Sequence, residues 1–343
     1  FVFMSFLAAC ESRKYPSTMK MIANCLGINE AGHLEISGCD TVRLAEQYGT
    51  PLYVMSEDEI RSVCRRYVAS FAKNYNGNGK PIYASKAFSC KEIYRIVLSE
   101  GLDVEVVSGG ELYTALQAGV PGSQIHFQGN NKSAGELTMA VENGVGDIVV
   151  DNLYELERLN AIAGEHSMVA PISFRIKPGI DAHTHEFIRT GQVDSKFGLD
   201  LASGEAMEAL RRSKTMEHVA VKGLHCHIGS QILEKAPFVH AAEVMLQFYA
   251  KVRDELGMAF EHLNLGGGFG IHYTAQDDAI PYEEYMEDVS AMVHSTCEKL
   301  GLELPRIYIE PGRSIVGEAG ITLYTVGSIK EIPGVRTYVA IDG

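Results

Sequence analysis

The 343 residues predict an α/β protein, a (β/α)8 TIM barrel accompanied by an incomplete all-β domain formed from both chain ends. Between residues 81 and 313 a short apolar, β-rich run, a polar or Gly-rich break and a helical stretch recur eight times. No G-x-G-x-x-G follows the first run, which counts against an open doubly wound sheet; the cluster Gly266-Gly267-Gly268-Phe269-Gly270 comes only after the seventh. Residues 34–36, 51–55, 321–329 and 337–341 read as strands outside the alternating region, at both chain ends.

The barrel strands, in order, are expected at 82–85, 104–107, 125–128, 148–151, 172–176, 221–228, 263–265 and 307–310. Strands separated by helices pair in parallel through right-handed crossovers, and eight of them close naturally into a barrel. Ahead of them, residues 59–72 place Ile60, Val63, Tyr67 and Phe71 on one helical face, a packing helix without evident chemistry. The expected division is an extraneous segment at 1–18, a partial β domain from 19–56 and 316–343, and the barrel at 57–315. The first ten residues are apolar and end Leu7-Ala8-Ala9-Cys10, superficially like a lipoprotein cleavage site. They are too short to span a membrane, lack a basic region and begin with Phe, so Met19 or Met21 is read as the natural start. At the other end, a strand running into the turn signal Asp342-Gly343 looks like an interrupted domain.

Composition narrows the function. With 44 acidic against 30 basic residues and a net charge of -14, no basic stripe is expected to neutralise a phosphodiester backbone, so nucleic acid is not an expected partner. No further run reaches the roughly 18 apolar residues of a spanning helix, so integration into a membrane is not expected either. Seven cysteines, from Cys10 to Cys297 without a C-x-x-C pair, fit neither a disulfide framework nor a zinc site and point to a reducing, cytoplasmic compartment.

Barrel chemistry sits at the C-terminal ends of the strands. There the sequence carries Tyr83-Ala84-Ser85-Lys86-Ala87, then Ser108-Gly109-Gly110-Glu111, then Gln128-Gly129-Asn130-Asn131-Lys132, then Arg175. His225-Cys226-His227-Ile228-Gly229-Ser230-Gln231 follows, then the glycine run, and finally Glu310-Pro311-Gly312-Arg313. Glycines 266–268 let backbone N–H groups approach an anion and Arg313 can grip it, at the usual phosphate site of such a barrel. The bland alternative is a Gly-rich turn with an arginine bonded elsewhere. Lys86, placed after a strand among small and aromatic residues, is expected to be partly desolvated, with a lowered pKa that leaves free amine for imine formation. An amine across from a phosphate site suggests pyridoxal phosphate, and Glu310 would supply the carboxylate that keeps its ring nitrogen protonated, or else pair with Arg313. His225 and His227 share a strand face. They read either as metal ligands or as an imidazole lying against a cofactor ring, and the lack of a second H-x-H at neighbouring strand ends or of a carboxylate at the end of the seventh strand favours the latter. His183 and His185 fall in a polar loop and are expected to be solvated.

With these residues in place, roughly 40–343 resembles the alanine-racemase-like barrel decarboxylases. Gln128-Gly129-Asn130-Asn131-Lys132-Ser133, Gly179-Ile180-Asp181-Ala182-His183-Thr184-His185, Ser195-Lys196-Phe197-Gly198 and residues 338–343 are similar to the diaminopimelate decarboxylase family in particular. That resemblance implies pyridoxal 5'-phosphate bound covalently by Lys86, with His227 stacked on its ring. It implies that Ser230, Gly266, Gly267, Gly268 and Arg313 hold the phosphate, within a cofactor-binding set that extends through Glu310, Pro311 and Gly312. Lys86 and His227 are the implied catalytic residues; Glu310 pairs with the pyridine nitrogen, Arg313 also faces a substrate carboxylate, and no metal is involved. The implied reaction converts meso-2,6-diaminopimelate to L-lysine and CO2 in a homodimer with shared active sites. Alternatives are a decarboxylase of ornithine, arginine or carboxynorspermidine, a related racemase, a non-catalytic pyridoxal-phosphate-binding protein, or a metal-dependent barrel hydrolase. Gln128 departs from the histidine expected in many relatives, a change expected to leave the chemistry alone. The family continues past Gly343 with substrate-binding Arg and Tyr residues, a Cys-Glu-Ser-x-Asp motif contributed across the dimer and a cofactor-contacting Tyr. Without them the 343-residue polypeptide is expected to hold cofactor but to turn over poorly, which substantial lysine production would refute.

Overall fold

Eight parallel strands, most of them buried on both faces, close on themselves in the structure, a computed structural model describing residues 21, 23–180, 195–274 and 276–343. They are β1 (Gly79–Ala84), β2 (Asp103–Val106), β3 (Ile125–Phe127), β4 (Asp147–Val150), β5 (Ala170–Lys177), β6 (Val219–Cys226), β7 (His262–Asn264) and β8 (Arg306–Ile309). Each pairs in parallel with the next, and β8 returns to β1 through Ile309 opposite Pro81, so the sheet has no free edge within the barrel. The short strand Leu199–Asp200 adds to β5 in parallel. All eight expected strands are present, displaced by at most three residues at their ends.

The strands are apolar on the outside because helices cover them, and polar at selected points inside. On β2 Val104 and Val106 alternate with Asp103 and Glu105, and all four are buried. The helix Glu57–Tyr75 carries Glu57, Asp58 and Glu59 in its first turn, where the helix dipole favours negative charge, and buries Ile60, Val63, Tyr67 and Phe71 as their spacing predicts.

Side-chain caps start several barrel helices directly after the strand ends. Ser108 accepts from the Glu111 amide (3.2 Å) while Glu111 accepts from the Val107 amide (2.6 Å). Ser133 and Glu136 form a reciprocal capping box, and Asn152 caps Leu153–Glu165. Ser108 and Glu111, read from the sequence among the reactive strand-end residues, are therefore cap residues. Lys132 is likewise buried in a structural role, donating to Glu155 and to the carbonyls of Gly129 and Val149.

The described chain divides into two compact units, the barrel unit comprising Arg61–Ile271 and Ala279–Ile315. The other comprises the chain up to Ile60, His272–Asp278 and Val316–Gly343. In it, Leu26–Ile28, Leu34–Ile36 and Cys39–Asp40 form an antiparallel meander. Leu52–Met55 pairs with Gly320–Leu323, and Val326–Ile332 pairs with Arg336–Ile341. The single strand expected at 321–329 is thus two strands with different partners. Its break lies at Tyr324-Thr325, where the Thr325 amide donates to Asp342 (2.8 Å) instead of to a ladder. The segment at 1–18 and the loop carrying His183 and His185 lie outside the described residues. Among the described residues no helix is long and apolar enough to cross a membrane.

Candidate active site

β1 runs into a single 3-10 turn, Ser85–Ala87, which presents Lys86 at the C-terminal mouth of the barrel. Two close approaches hold that turn against the end of β8: the Ala84 amide donates to the Pro311 carbonyl (3.0 Å), and Gly312 lies so near Ala84 and Ala87 that a Cβ would sit 2.9 Å from Ala84 Cβ. The desolvation expected of Lys86 is not found. Its side chain is 51% exposed, and Nζ lies 3.8 Å from Glu105 Oε1. The turn leaves the amine at the open mouth, whereas Glu105, one strand over, points into the barrel.

Glu105 is the least compensated group of the site. It is fully buried, and neither carboxylate oxygen has a hydrogen-bond partner. Burial raises its pKa to about 7; the Lys86 charge pulls it back, and the nearby Glu310 carboxylate adds to the rise.

Glu310 follows β8 and is also buried, but it is surrounded by donors. Asn264 Nδ2 (2.7 Å) and Gln128 Nε2 donate to Oε1, and His225 Nε2 lies 3.1 Å from Oε2. Burial alone would raise the Glu310 pKa; the His225 contact, the Lys86 charge and the Asn264 bond outweigh it and hold the carboxyl below its ordinary value. Burial first, with Arg175 adding to it, lowers the pKa of His225, so that its imidazole is neutral.

His227 lies just beyond β6, and its Nδ1 accepts from the Gly267 amide (3.1 Å), which leaves Nε2 as the protonated nitrogen. Burial, followed by the charges of Lys86 and Arg175, pushes its pKa well down, so this ring is neutral too. Next along the chain, Ser230 accepts from Arg313 Nη2 (2.8 Å). The glycine run contributes chiefly through its backbone. Gly266 and Gly268 have φ of +69° and +107°, and a Cβ on Gly267 would collide with the Glu310 carbonyl. The amides of Gly266 and Gly267 are bound to Asn264 Oδ1 (2.9 Å) and His227, so they brace the site's own side chains. Phe269, the large residue of the run, packs between Phe238 (4.9 Å, stacked), Tyr285 (5.3 Å) and Tyr67 (5.9 Å), which anchors the loop.

The structure therefore brings Lys86, His227, Ser230, Glu310 and Arg313 to one mouth and places Gly266–Gly268, Pro311 and Gly312 beneath them. His225 sits with Glu310, and Arg175 is buried with its guanidinium over the Phe197 ring (4.3 Å). The sequence reading passed over Glu105, Asn264 and the contact of Gln128 with Glu310. A signal existed for the first, since a charged residue at an inward position of an otherwise apolar strand demands a reason.

Residues 57–317 match the family model described as pyridoxal-dependent decarboxylase, pyridoxal binding domain. The chain is 49% identical over 316 residues to the diaminopimelate decarboxylase of Bacillus methanolicus, covering 92% of this chain and 73% of that protein. It is 49% identical over 315 residues to that of Bacillus subtilis (strain 168), covering 92% and 72%. Among solved structures, the diaminopimelate decarboxylase of M. jannaschii in co-complex with L-lysine matches with a TM-score of 0.84 at 37% identity, over 94% of this chain and 74% of that one. The Helicobacter pylori enzyme complexed with L-lysine matches at 0.79 and 30% identity, over 89% and 73%.

Proposed function

Because the chain belongs to the diaminopimelate decarboxylases, within the pyridoxal-dependent decarboxylases, we propose that its barrel mouth binds pyridoxal 5'-phosphate through Lys86. The reaction carried out there removes the α-carboxylate from the D-centre of meso-2,6-diaminopimelate, giving L-lysine and CO2. The observation that carries the assignment to these residues is Glu310: a buried carboxylate kept ionised by the His225 and Asn264 contacts and the Lys86 charge, at the same mouth as an accessible primary amine and a neutral imidazole.

The residues fit the cofactor. Glu310 offers an anionic acceptor for a protonated ring nitrogen, His227 offers a flat uncharged face, and Arg313 with Ser230 offers donors to a phosphate. Once bound, the cofactor supplies an electron sink for the pair left on carbon when CO2 departs. The chain's own residues do the rest. Glu310 holds its charge without a bound proton, because the donors around it stabilise the ionised form. His227, fixed by the Gly267 amide, covers one side of the site and excludes water there. Arg313, oriented by Ser230, also presents donors to a substrate carboxylate. Lys86 and Glu105 form a proton-holding pair at Nζ and Oε1, positioned to supply the proton that replaces the lost carboxylate.

A homodimer with shared active sites is part of the proposal and rests on the family resemblance. A cytoplasmic location rests on the free thiols of Cys25, Cys39, Cys64, Cys90, Cys226 and Cys297. The test is borohydride reduction of the protein mixed with pyridoxal phosphate, peptide mapping, and an assay in the full-length enzyme of CO2 release from meso-diaminopimelate, ornithine and arginine. A single adduct on Lys86 and CO2 from meso-diaminopimelate alone are expected. A folded protein labelled elsewhere, or one that prefers ornithine, would overturn the assignment.

A further inference from the structure

The donors around Glu310 can be counted against what a carboxylate accepts. An ionised carboxylate has about four lone-pair positions, two on each oxygen. Gln128 Nε2 and Asn264 Nδ2 both donate to Oε1 and fill it; His225 Nε2 donates to Oε2 and leaves one position there. The orientation of each donor is set by a second contact. Asn264 Oδ1 accepts from the Gly266 amide, so its NH2 must face Glu310. Gln128 Nε2 also lies 3.1 Å from His225 Nε2, and two N–H groups cannot bond each other. Turning the Gln128 amide round would aim its oxygen at the carboxylate, so the arrangement that satisfies every group has both Gln128 and His225 donating to Glu310. His225 is then protonated on Nε2 alone, in agreement with a buried Nδ1 that has no hydrogen-bond partner.

Gln128 is thereby wedged between the imidazole and the carboxylate. It is an amide without an ionisable proton, fully buried at the end of β3. The titratable groups whose charges reach the carboxylate from the other strands are His225 and Cys226 on β6, Glu105 on β2, Lys86 after β1 and Arg175 on β5. Of the three groups that touch Glu310, only His225 can change charge within the working pH range, and burial opposes that change.

Resting on the reading of this mouth as a pyridoxal phosphate site, we propose that Gln128 is a positioning residue. Together with Asn264 and His225 it locks Glu310 in its ionised form and reserves one Oε2 lone pair for a ring N–H donor. The residue read from the sequence as a neutral departure is then the part of the clamp that cannot titrate. Its N–H keeps the grip on Glu310 constant with pH.

The test replaces Gln128 by a side chain of similar length without donors, Gln128→Met, and by one that restores an N–H, Gln128→His. Three readouts are followed in the full-length enzyme: the absorbance spectrum of bound pyridoxal phosphate from pH 5 to 9, its dissociation constant, and kcat and KM separately. In Gln128→Met the spectrum should gain a titration step absent from the parent. Cofactor binding should weaken about tenfold, as expected for losing one hydrogen bond to a buried charge, and kcat should fall by a similar factor while KM changes less than about twofold. Gln128→His should recover most of the cofactor affinity above pH 7. A Gln128→Met protein with the parent's spectrum at every pH and cofactor affinity within about twofold of it overturns the proposal. If Gln128→Met does not fold, the inference stands or falls on Gln128→His: an added pH-dependent step supports it and a parental spectrum throughout refutes it. A parent protein that takes up no pyridoxal phosphate would instead overturn the functional reading beneath it, so the two failures are distinct.

Discussion

On strand after strand of the barrel, the residue lining its N-terminal end and the residue lining its mouth stand two positions apart: Asp103 and Glu105 on β2, His126 and Gln128 at β3, Ser173 and Arg175 on β5, His262 and Asn264 on β7, Tyr308 and Glu310 at β8. At the N-terminal end acidic side chains alternate with lysine and histidine. Lys80 meets Asp103 (2.5 Å), Asp103 meets His126 (3.5 Å), His126 meets Asp147 (3.7 Å), and Asp147 meets His262 (3.4 Å). Ser173 Oγ lies 2.8 Å from both Asp147 and His262. His126 Nδ1 and Asp147 Oδ1 lack a hydrogen bond, but each belongs to a side chain with an opposite charge close by. At the mouth, Glu105 has no hydrogen bond to either oxygen, and His225 Nδ1 and Asp151 Oδ1 have none. Both ends desolvate ionisable groups. One end compensates them with each other and serves as a structural plug; the other leaves polar capacity open, as a site that must accept a ligand requires. Substitutions should therefore separate cleanly into those that alter chemistry and those that alter stability.

The largest effect is expected at Lys86. Lys86→Ala should abolish the borohydride-trapped adduct and lower turnover by about 10²–10⁴-fold, the range for losing a positioned proton-transfer group. Its half-exposed side chain predicts little change in the melting temperature of the cofactor-free protein. A large drop in that melting temperature would mean that the mouth, too, is a structural plug.

The opposite signature is expected at Asp147, which opens β4, four positions before the mouth residue Asp151 that follows the strand. Asp147→Asn leaves His126 and His262 without their shared anion, and breaking a buried pair costs about 3–5 kcal/mol. Denaturant unfolding should show that loss, while kcat per folded molecule stays at the parental value. A folded variant with normal stability and reduced kcat would erase the distinction between the two ends.

The same plug predicts how stability responds to pH. Burial alone would lower the His126 pKa, but hydrogen bonds and charge from Asp103 and Asp147 outweigh it and raise the group to about 9. A histidine raised in the folded state stabilises fully below its unfolded value of about 6.5, and that contribution is lost as pH rises toward 9. Burial raises the pKa values of Asp103 and Asp147, but His126, with Lys80 and His262, lowers them by more. Their contribution is present above the unfolded carboxylate range and disappears only in acid. Stability should peak near pH 5–6 and decline by on the order of 3 kcal/mol by pH 9 to 10. His126→Gln should flatten that alkaline decline, as unfolding titrations at several pH values would reveal.

Much of the barrel could be read from the sequence because each strand announces itself within a few residues, by apolar alternation and the break that follows. The strand ends of the mouth could be located for the same reason. What could not be read depends on partners far apart in the chain. Gln128 and Glu310 are 182 positions apart, and His225 and Glu310 are 85 apart. No local pattern says that they converge, or that Ser108 and Glu111 serve a helix start instead of a ligand. Lys86 was misjudged in its exposure because the turn after β1, not its neighbours' polarity, sets how far the amine projects. The strands Leu26–Ile28 and Cys39–Asp40 were missed because three and two residues carry too little periodicity to register.

The sharpest discriminator is expected at Glu105, which shares β2 with Asp103. Asp103 has His126, Lys80 and Gln124 around it, whereas Glu105 has no hydrogen bond among the described residues and is offset by the charges of Lys86, at 3.8 Å, and Arg175. A carboxylate whose folded pKa is raised to about 7 destabilises progressively above its unfolded value of about 4.5, and the cost levels off once pH passes 7. Glu105→Gln removes that cost at constant volume, so the cofactor-free protein should gain up to about 3 kcal/mol at pH 8 and nothing at pH 4. Turnover should move the other way. Without a carboxylate beside Nζ, the neutral-pH limb of the kcat profile should disappear and the plateau should fall by about tenfold or more. A stabilised variant with impaired turnover would identify Glu105 as strain retained for chemistry. A destabilised variant would mean that its charge is compensated after all, and that the mouth follows the same rule as the plug beneath it.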